Sequence, residues 1–149
     1  MREIRFRGFS VTDKKWVYGK VIEKDGAYWI LEKAIGMYSE SKRNNVYDGL
    51  GGRFRFELHH VYKESVGQYV WLRDVNNKEV YEGDVVRCKR KFYCNGSQEE
   101  EFIARVVFKD REFKYELLKW VKKSDCSNWH LCAIFEEDEI EVIGNTFEK

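Results

Sequence analysis

The chain has 149 residues and a net charge of +1, and 43% of its residues are hydrophobic, 36% charged and 16% aromatic. This composition predicts a globular fold, and the balanced charge excludes a global field that would attract nucleic acid or an anionic membrane. No apolar run approaches the roughly 18 residues of a membrane-spanning helix, and charges interrupt residues 2–7 too often for a signal peptide. We therefore expect no membrane partner and a cytoplasmic location, where the cysteines are reduced.

The first half of the sequence alternates between charged and apolar residues. The alternation is clearest at residues 53–58 and 2–7, and segments 16–18 and 27–31 are rich in the aromatic and branched residues typical of strands. A period of two predicts strands with one buried and one exposed face. Residues 39–52 lack this pattern and are predicted to form an exposed loop.

The second half contains a predicted hairpin with an acidic and a basic strand. Asn95-Gly96 favours a two-residue turn, which would place Lys91 opposite Glu100 and Arg90 opposite Glu101. Residues 102–108 and 139–143 also have strand character. Residues 109–123 fit a helical stripe or a strand; we favour a second hairpin, turning at 109–111.

These elements together predict a mostly β protein with little helix. An N-terminal β-ribbon region over residues 1–62 is expected to precede a C-terminal unit over residues 63–149, although a single compact unit is the alternative. A chain of this length buries enough surface to fold without a metal or a disulfide.

Four segments resemble a known family when taken in order. They are REIRFR at 2–7, KWVYG at 15–19, VGQYVWLRDVNNKEVYEGDVV at 66–86 and IEVIGN at 140–145. As a set they closely resemble the YopX family of phage and prophage proteins, whose role is obscure. The resemblance implies an SH3-like small β-barrel in the C-terminal half, and the cytoplasm of a bacterial host.

Two departures from the family pattern fall in the third segment. The family usually has Thr-Gly where this chain has Val70-Trp71, and Asn-Gly where it has Asn76-Asn77. Trp71 in place of a glycine is interpreted either as a contact point on the surface or as a side chain that fills a gap in the core.

No cluster of residues predicts catalysis or cofactor binding. Cys88 and Cys94, like Cys126 and Cys132, are separated by five residues, which exceeds the two to four typical of zinc knuckles. We therefore predict no metal, with a cysteine-based metal site or enzyme as a minor alternative, and the expected cytoplasmic location argues against a disulfide. The neighbouring His59 and His60 face opposite sides of a strand and do not share an ion.

The leading functional hypothesis is a non-enzymatic binding or regulatory module that acts on a host or phage protein. The alternative is a nucleic-acid-binding protein whose strands interleave cations with aromatics, and self-association is a further reading. The loop at 39–52 is a further candidate contact region. The candidate partner surface comprises Trp71, Arg53, Arg55, Arg87, Lys89, Arg90 and Lys91.

Overall fold

The protein is mainly β, as the sequence predicts. The computed structural model describes residues 4–35, 45–47 and 53–148, with the backbone alone for 33–35, 45–47 and 53–55. The strands are β1 (Phe6–Phe9), β2 (Trp16–Lys24), β3 (Ala27–Ile35), β4 (Asn45–Tyr47), β5 (Arg53–Val61), β6 (Gly67–Arg73), β7 (Glu79–Tyr81), β8 (Asp84–Tyr93), β9 (Ser97–Lys109), β10 (Glu112–Lys122), β11 (Leu131–Ala133) and β12 (Glu139–Asn145), with a 3₁₀ turn at Lys63–Ser65. Within the described residues, no helix has the length and hydropathy that crossing a membrane requires.

The chain forms two compact units, Met1–Gln68 (unit 1) and Tyr69–Lys149 (unit 2). In unit 1 the strands follow the antiparallel order β4-β5-β3-β2-β1, and β1 also pairs with the first two residues of β6. The predicted strands at 16–18, 27–31 and 53–58 are confirmed. Residues 45–47, which the sequence assigns to a loop, form β4, and the rest of 39–52 lies outside the described residues.

The inner face of the unit 1 sheet forms a small apolar core. Val17, Ile30 and Val61 come from β2, β3 and β5 and are at most 2% exposed. Successive side chains of a strand point to opposite faces of the sheet. The neighbours of these three residues along β2, β3 and β5 therefore lie on the opposite face, which we call the outer face. Gly19 is required in β2, because a Cβ atom there would lie 2.0 Å from the Leu31 carbonyl oxygen.

Unit 2 contains a five-stranded antiparallel sheet in the order β11-β10-β9-β8-β12, and β7 pairs with β6. The hairpin favoured for residues 109–123 is confirmed, because Asp110 and Arg111 form its turn with φ of 55° and 67°. In the described residues this sheet is open, with β11 and β12 at its edges. Closure into an SH3-like barrel stays a prediction.

The β8–β9 hairpin forms, but its register differs by one residue from the prediction. Arg90 pairs with Glu100 and Lys91 pairs with Glu99. The predicted partners, Glu101 for Arg90 and Glu100 for Lys91, are therefore wrong. The cause is the connection, because Cys94 joins Asn95 and Gly96 in the loop and the ladder ends at Tyr93 and Ser97. A shift of one residue changes which side chains share a face.

The core of unit 2 is formed by side chains of β8, β9 and β10, with further side chains from β6, β7 and β12. Val86, Cys88, Phe102, Ala104 and Tyr115 have no exposed surface. Burying a side chain as large as Val86 or Phe102 contributes roughly 1.5–3 kcal/mol, so this cluster is a major source of the stability of the unit.

Asp74 connects the β6–β7 turn to the last strand. Its Oδ1 accepts hydrogen bonds from the backbone N–H groups of Asn76 (2.9 Å) and Lys78 (2.8 Å), and its Oδ2 accepts one from Val142 (3.0 Å). Burial raises the pKa of this carboxyl, but the three backbone donors outweigh burial and hold the pKa below its ordinary value. Ionised Asp74 therefore fixes β12 against the turn.

Candidate functional site

The predicted basic strand presents three cations to solvent, and each has an acidic neighbour. Arg87 forms a hydrogen-bonded ion pair with Glu101, Lys89 Nζ lies 4.0 Å from Glu101, and Lys91 Nζ lies 3.9 Å from Glu99. The depression beside Lys89 and Lys91 is lined by three lysines and five glutamates. This alternation of charge does not favour contact with a phosphate backbone.

Arg90 does not belong to the surface, which corrects the prediction that it contributes to a partner contact. Its side chain is 7% exposed and donates to both carboxylate oxygens of Asp138, at 2.9 and 2.8 Å. Glu100 Oε1 lies 3.6 Å from the guanidinium. Burial lowers the pKa of Arg90, but its hydrogen bonds to Asp138 and Cys132 outweigh burial and hold the pKa above its ordinary value.

The Asp138 carboxylate is the centre of this buried polar network. Tyr115 donates its hydroxyl to Asp138 at 3.0 Å, and Ser127 donates to Glu100 at 2.7 Å. Burial raises the pKa of Tyr115 above its ordinary value, and the charge of Asp138 adds to this. Asp138 and Glu100 both lie beside the Arg90 guanidinium, and each accepts a hydrogen bond from a hydroxyl group. The network is therefore satisfied internally and serves the fold.

Trp71 occupies a backbone conformation that favours glycine. Its φ is 65°, at the position where the YopX pattern has glycine, and Asn77 at the other departure has φ of 63°. Asparagine adopts the left-handed region readily, whereas a bulky residue does so at a cost of about 1–2 kcal/mol. The half-buried Trp71 ring packs on Tyr69 with centroids 4.9 Å apart.

Arg53 and Arg55 lie in β5, where they pair with Tyr47 and Asn45 of β4. Their side chains lie outside the described residues. Five of the seven predicted surface residues therefore have a described side chain, and four of these five are at least partly exposed.

The cysteines differ from the prediction, because Cys94 and Cys126 form a disulfide, with Cα atoms 6.6 Å apart. It joins the β8–β9 turn to the segment after β10. Cys88 and Cys132 are free thiols. Burial raises the pKa of Cys88 to about 12, so this thiol is not a nucleophile at neutral pH. Cys132 Sγ accepts a hydrogen bond from Arg90 at 2.8 Å.

The two neighbouring histidines of β5 lie on opposite faces, as predicted for an extended segment. His60 stacks on Trp29 of β3 with ring centroids 4.7 Å apart on the outer face. His59 lies on the inner face, where Glu32 and Glu57 approach its ring. Sequence analysis missed these acidic neighbours, because only the β3–β5 register brings Glu32 to this position.

The outer face of β2, β3 and β5 is an apolar surface that sequence analysis also missed. Cross-strand pairing aligns Ile22 with Trp29 and His60 in one row, and Lys20 with Leu31 and Leu58 in the next. Ile22 and Leu58 are 41% and 49% exposed. The residues of the outer face with described side chains are Tyr18, Lys20, Ile22, Lys24, Ala27, Trp29, Leu31, Phe56, Leu58 and His60.

One end of the outer face is concave. Tyr18, Leu31 and Phe56 line a depression of about 450 Å³, together with Gly19 and the charged residues Arg5, Lys20 and Glu32. Among the residues with described side chains that alternate onto the outer face, two are lysines and none is acidic, while Glu32 borders the depression. The signal in the sequence was the alternation itself, but alternation alone does not distinguish an apolar outer face from a buried one.

Comparison with known proteins agrees with the resemblance in the sequence. The family model described as YopX protein matches residues 5–149. A comparison with curated proteins found no match. Because the matched range covers nearly all of the chain, this protein belongs to the YopX family.

Proposed function

We propose that this protein is a non-enzymatic binding module of a phage or prophage that recognises a host or phage protein through the outer face. The observation that carries the proposal is the exposed row of apolar side chains on β2, β3 and β5. Large apolar side chains exposed together on one sheet face are typical of contact sites between proteins. The family membership supports the phage-type origin.

The energetic argument rests on Tyr18, Ile22 and Leu58, which are between 41% and 49% exposed. Completing the burial of each side chain contributes about 1 kcal/mol, half the value for a fully exposed one. Trp29 and Leu31 lie between them and are half-buried already, which gives the surface a packed centre. Aromatic residues at the centre of a contact carry a large share of its affinity.

Charge favours a partner with acidic flanks. Lys20 and Lys24 are exposed on the outer face, and no described residue that alternates onto it is acidic. Complementary charge speeds association and excludes wrong partners more than it adds affinity. We therefore expect an apolar partner segment bordered by Asp or Glu, bound in the cytoplasm of a bacterial host.

Purification from a host lysate with and without nuclease tests this function. We expect a stoichiometric protein to be retained by the wild type after nuclease treatment, and to be lost in the double variant Ile22→Lys, Leu58→Lys. Phe108→Lys is the matched control, because Phe108 is 51% exposed in unit 2. Retention of the partner by the double variant would contradict the proposal.

Single-stranded nucleic acid is the second candidate, because the outer face combines lysines with Tyr18, Trp29 and His60. Bases stack on exposed aromatic rings, and lysines contact the backbone. Loss of all retained material on nuclease treatment, with affinity that falls steeply with salt, would favour this candidate over a protein partner.

A further inference from the structure

A histidine and two carboxylates converge on the inner face of unit 1, at the edge of its core. The β3–β5 ladder places Glu32 directly opposite Glu57, and His59 follows Glu57 by two residues on the same face. The three side chains are therefore neighbours on one face of the sheet.

The imidazole of His59 is directed into the space between the carboxylates. Its side chain is 10% exposed, and its Nε2 is inaccessible to solvent and makes no hydrogen bond. Nε2 lies 3.4 Å from Glu57 Oε2 and 4.0 Å from Glu32 Oε1. A buried ring nitrogen without a hydrogen-bond partner costs free energy. A cation bound by both this nitrogen and the carboxylates would remove that cost.

The separations fit a metal ion. One ligand atom from each of the three residues lies within 4.8 Å of the other two. An ion about 2.1 Å from each of three tetrahedral ligands needs them about 3.4 Å apart, so His59 and Glu57 are already placed. The Glu32 side chain is 39% exposed and is therefore free to rotate inward by the small remaining distance.

We propose that Glu32, Glu57 and His59 bind one divalent transition-metal ion. The imidazole ligand favours metals such as Zn²⁺, whereas Mg²⁺ prefers oxygen ligands alone in an octahedral arrangement. The Asp13 carboxylate lies 3.5 Å from His59 Nδ1, on the far side of the ring. In this position Asp13 orients the imidazole and directs Nε2 towards the ion.

Titration of the full chain with Zn²⁺ tests the site. The protein is prepared without a polyhistidine tag, with its disulfide intact, and in a Cys132→Ser background to remove the partly exposed thiol. Calorimetry should show one Zn²⁺ per chain, and the ion should raise Tm. Mg²⁺ at the same concentration should do neither.

Variants distinguish this site from other histidines. His59→Gln and Glu32→Gln are expected to weaken Zn²⁺ binding at least tenfold, and Asp13→Asn about tenfold. His60→Gln is the matched control, because His60 is its neighbour on the opposite face. Equal affinity in His59→Gln and the background protein would overturn the proposal, as would the absence of binding at millimolar Zn²⁺. Glu32→Gln should keep the Tm of the metal-free protein, which separates a lost ligand from a lost fold.

Discussion

Replacing Asp74 with asparagine removes one acceptor from the turn that holds β12. The amide oxygen of asparagine still accepts from Asn76 and Lys78, whose backbone N–H groups lie beside Oδ1. The amide nitrogen would then face the Val142 N–H, so two donors would oppose each other. Losing one charge-assisted hydrogen bond and leaving a buried donor without a partner costs about 2–4 kcal/mol.

Urea denaturation followed by tryptophan fluorescence measures this cost. Asp110→Asn is the matched control, because the Asp110 side chain is 81% exposed and pairs only with Lys114 among its described ion pairs. We expect Asp110→Asn to change the free energy of unfolding by less than about 0.5 kcal/mol. Hydrogen exchange at the Val142 amide should accelerate in Asp74→Asn and not in the control.

The pH dependence follows from the lowered pKa of Asp74. A carboxyl whose pKa is lower in the folded than in the unfolded state contributes stability above the unfolded value, about 3.9. This contribution is lost as pH falls through the folded pKa. The stability difference between the wild type and Asp74→Asn should therefore be constant near neutral pH and shrink below about pH 4. A difference below 0.5 kcal/mol at pH 7, or one unchanged down to pH 2, would refute the reasoning.

Three further predictions concern unit 2. Reduction of the Cys94–Cys126 bond, whose cysteines are 32 residues apart, should lower the free energy of unfolding by about 4 kcal/mol, and Cys94→Ser should make denaturation insensitive to reductant. Trp71→Gly should be more stable than Trp71→Ala by about 1 kcal/mol in the same assay, because glycine relieves the left-handed strain that alanine keeps. A more stable Trp71→Ala would contradict the left-handed backbone at residue 71. Asp138→Asn should cost about 3–5 kcal/mol, since it removes the hydrogen-bonded ion pair of the buried Arg90 and leaves only the longer pair with Glu100. A cost below 1 kcal/mol would show that the network is dispensable.

The strands could be predicted because their signal is local. Alternation at 53–58 and 102–108 reports which residues of one strand share a face, and the structure has strands at both. Register depends on the length of a connection, and one additional loop residue, Cys94, placed Arg90 opposite Glu100. The same charge pattern that indicated an exposed basic strand therefore contains a buried arginine.

The candidate sites depend on contacts between residues far apart in sequence. His59 meets Glu32 only because β3 pairs with β5, and the outer face needs the register of three strands. The disulfide was missed for a different reason, because the expected compartment argued against it and sequence spacing does not show which cysteines approach each other. Trp71 was singled out from the family pattern, but its left-handed backbone is visible only in the structure.

Site-specific photocrosslinking in the bacterial host tests the central claim that the outer face binds a partner protein. A benzophenone amino acid replaces Tyr18, which is 41% exposed on the outer face, or Tyr93, which is 84% exposed in unit 2. Both replacements exchange one aromatic side chain for another. We predict a crosslink to one defined protein from position 18 and none to that protein from position 93. Equal crosslinking from both positions, or a crosslink from position 93 alone, would contradict the outer face as the binding surface.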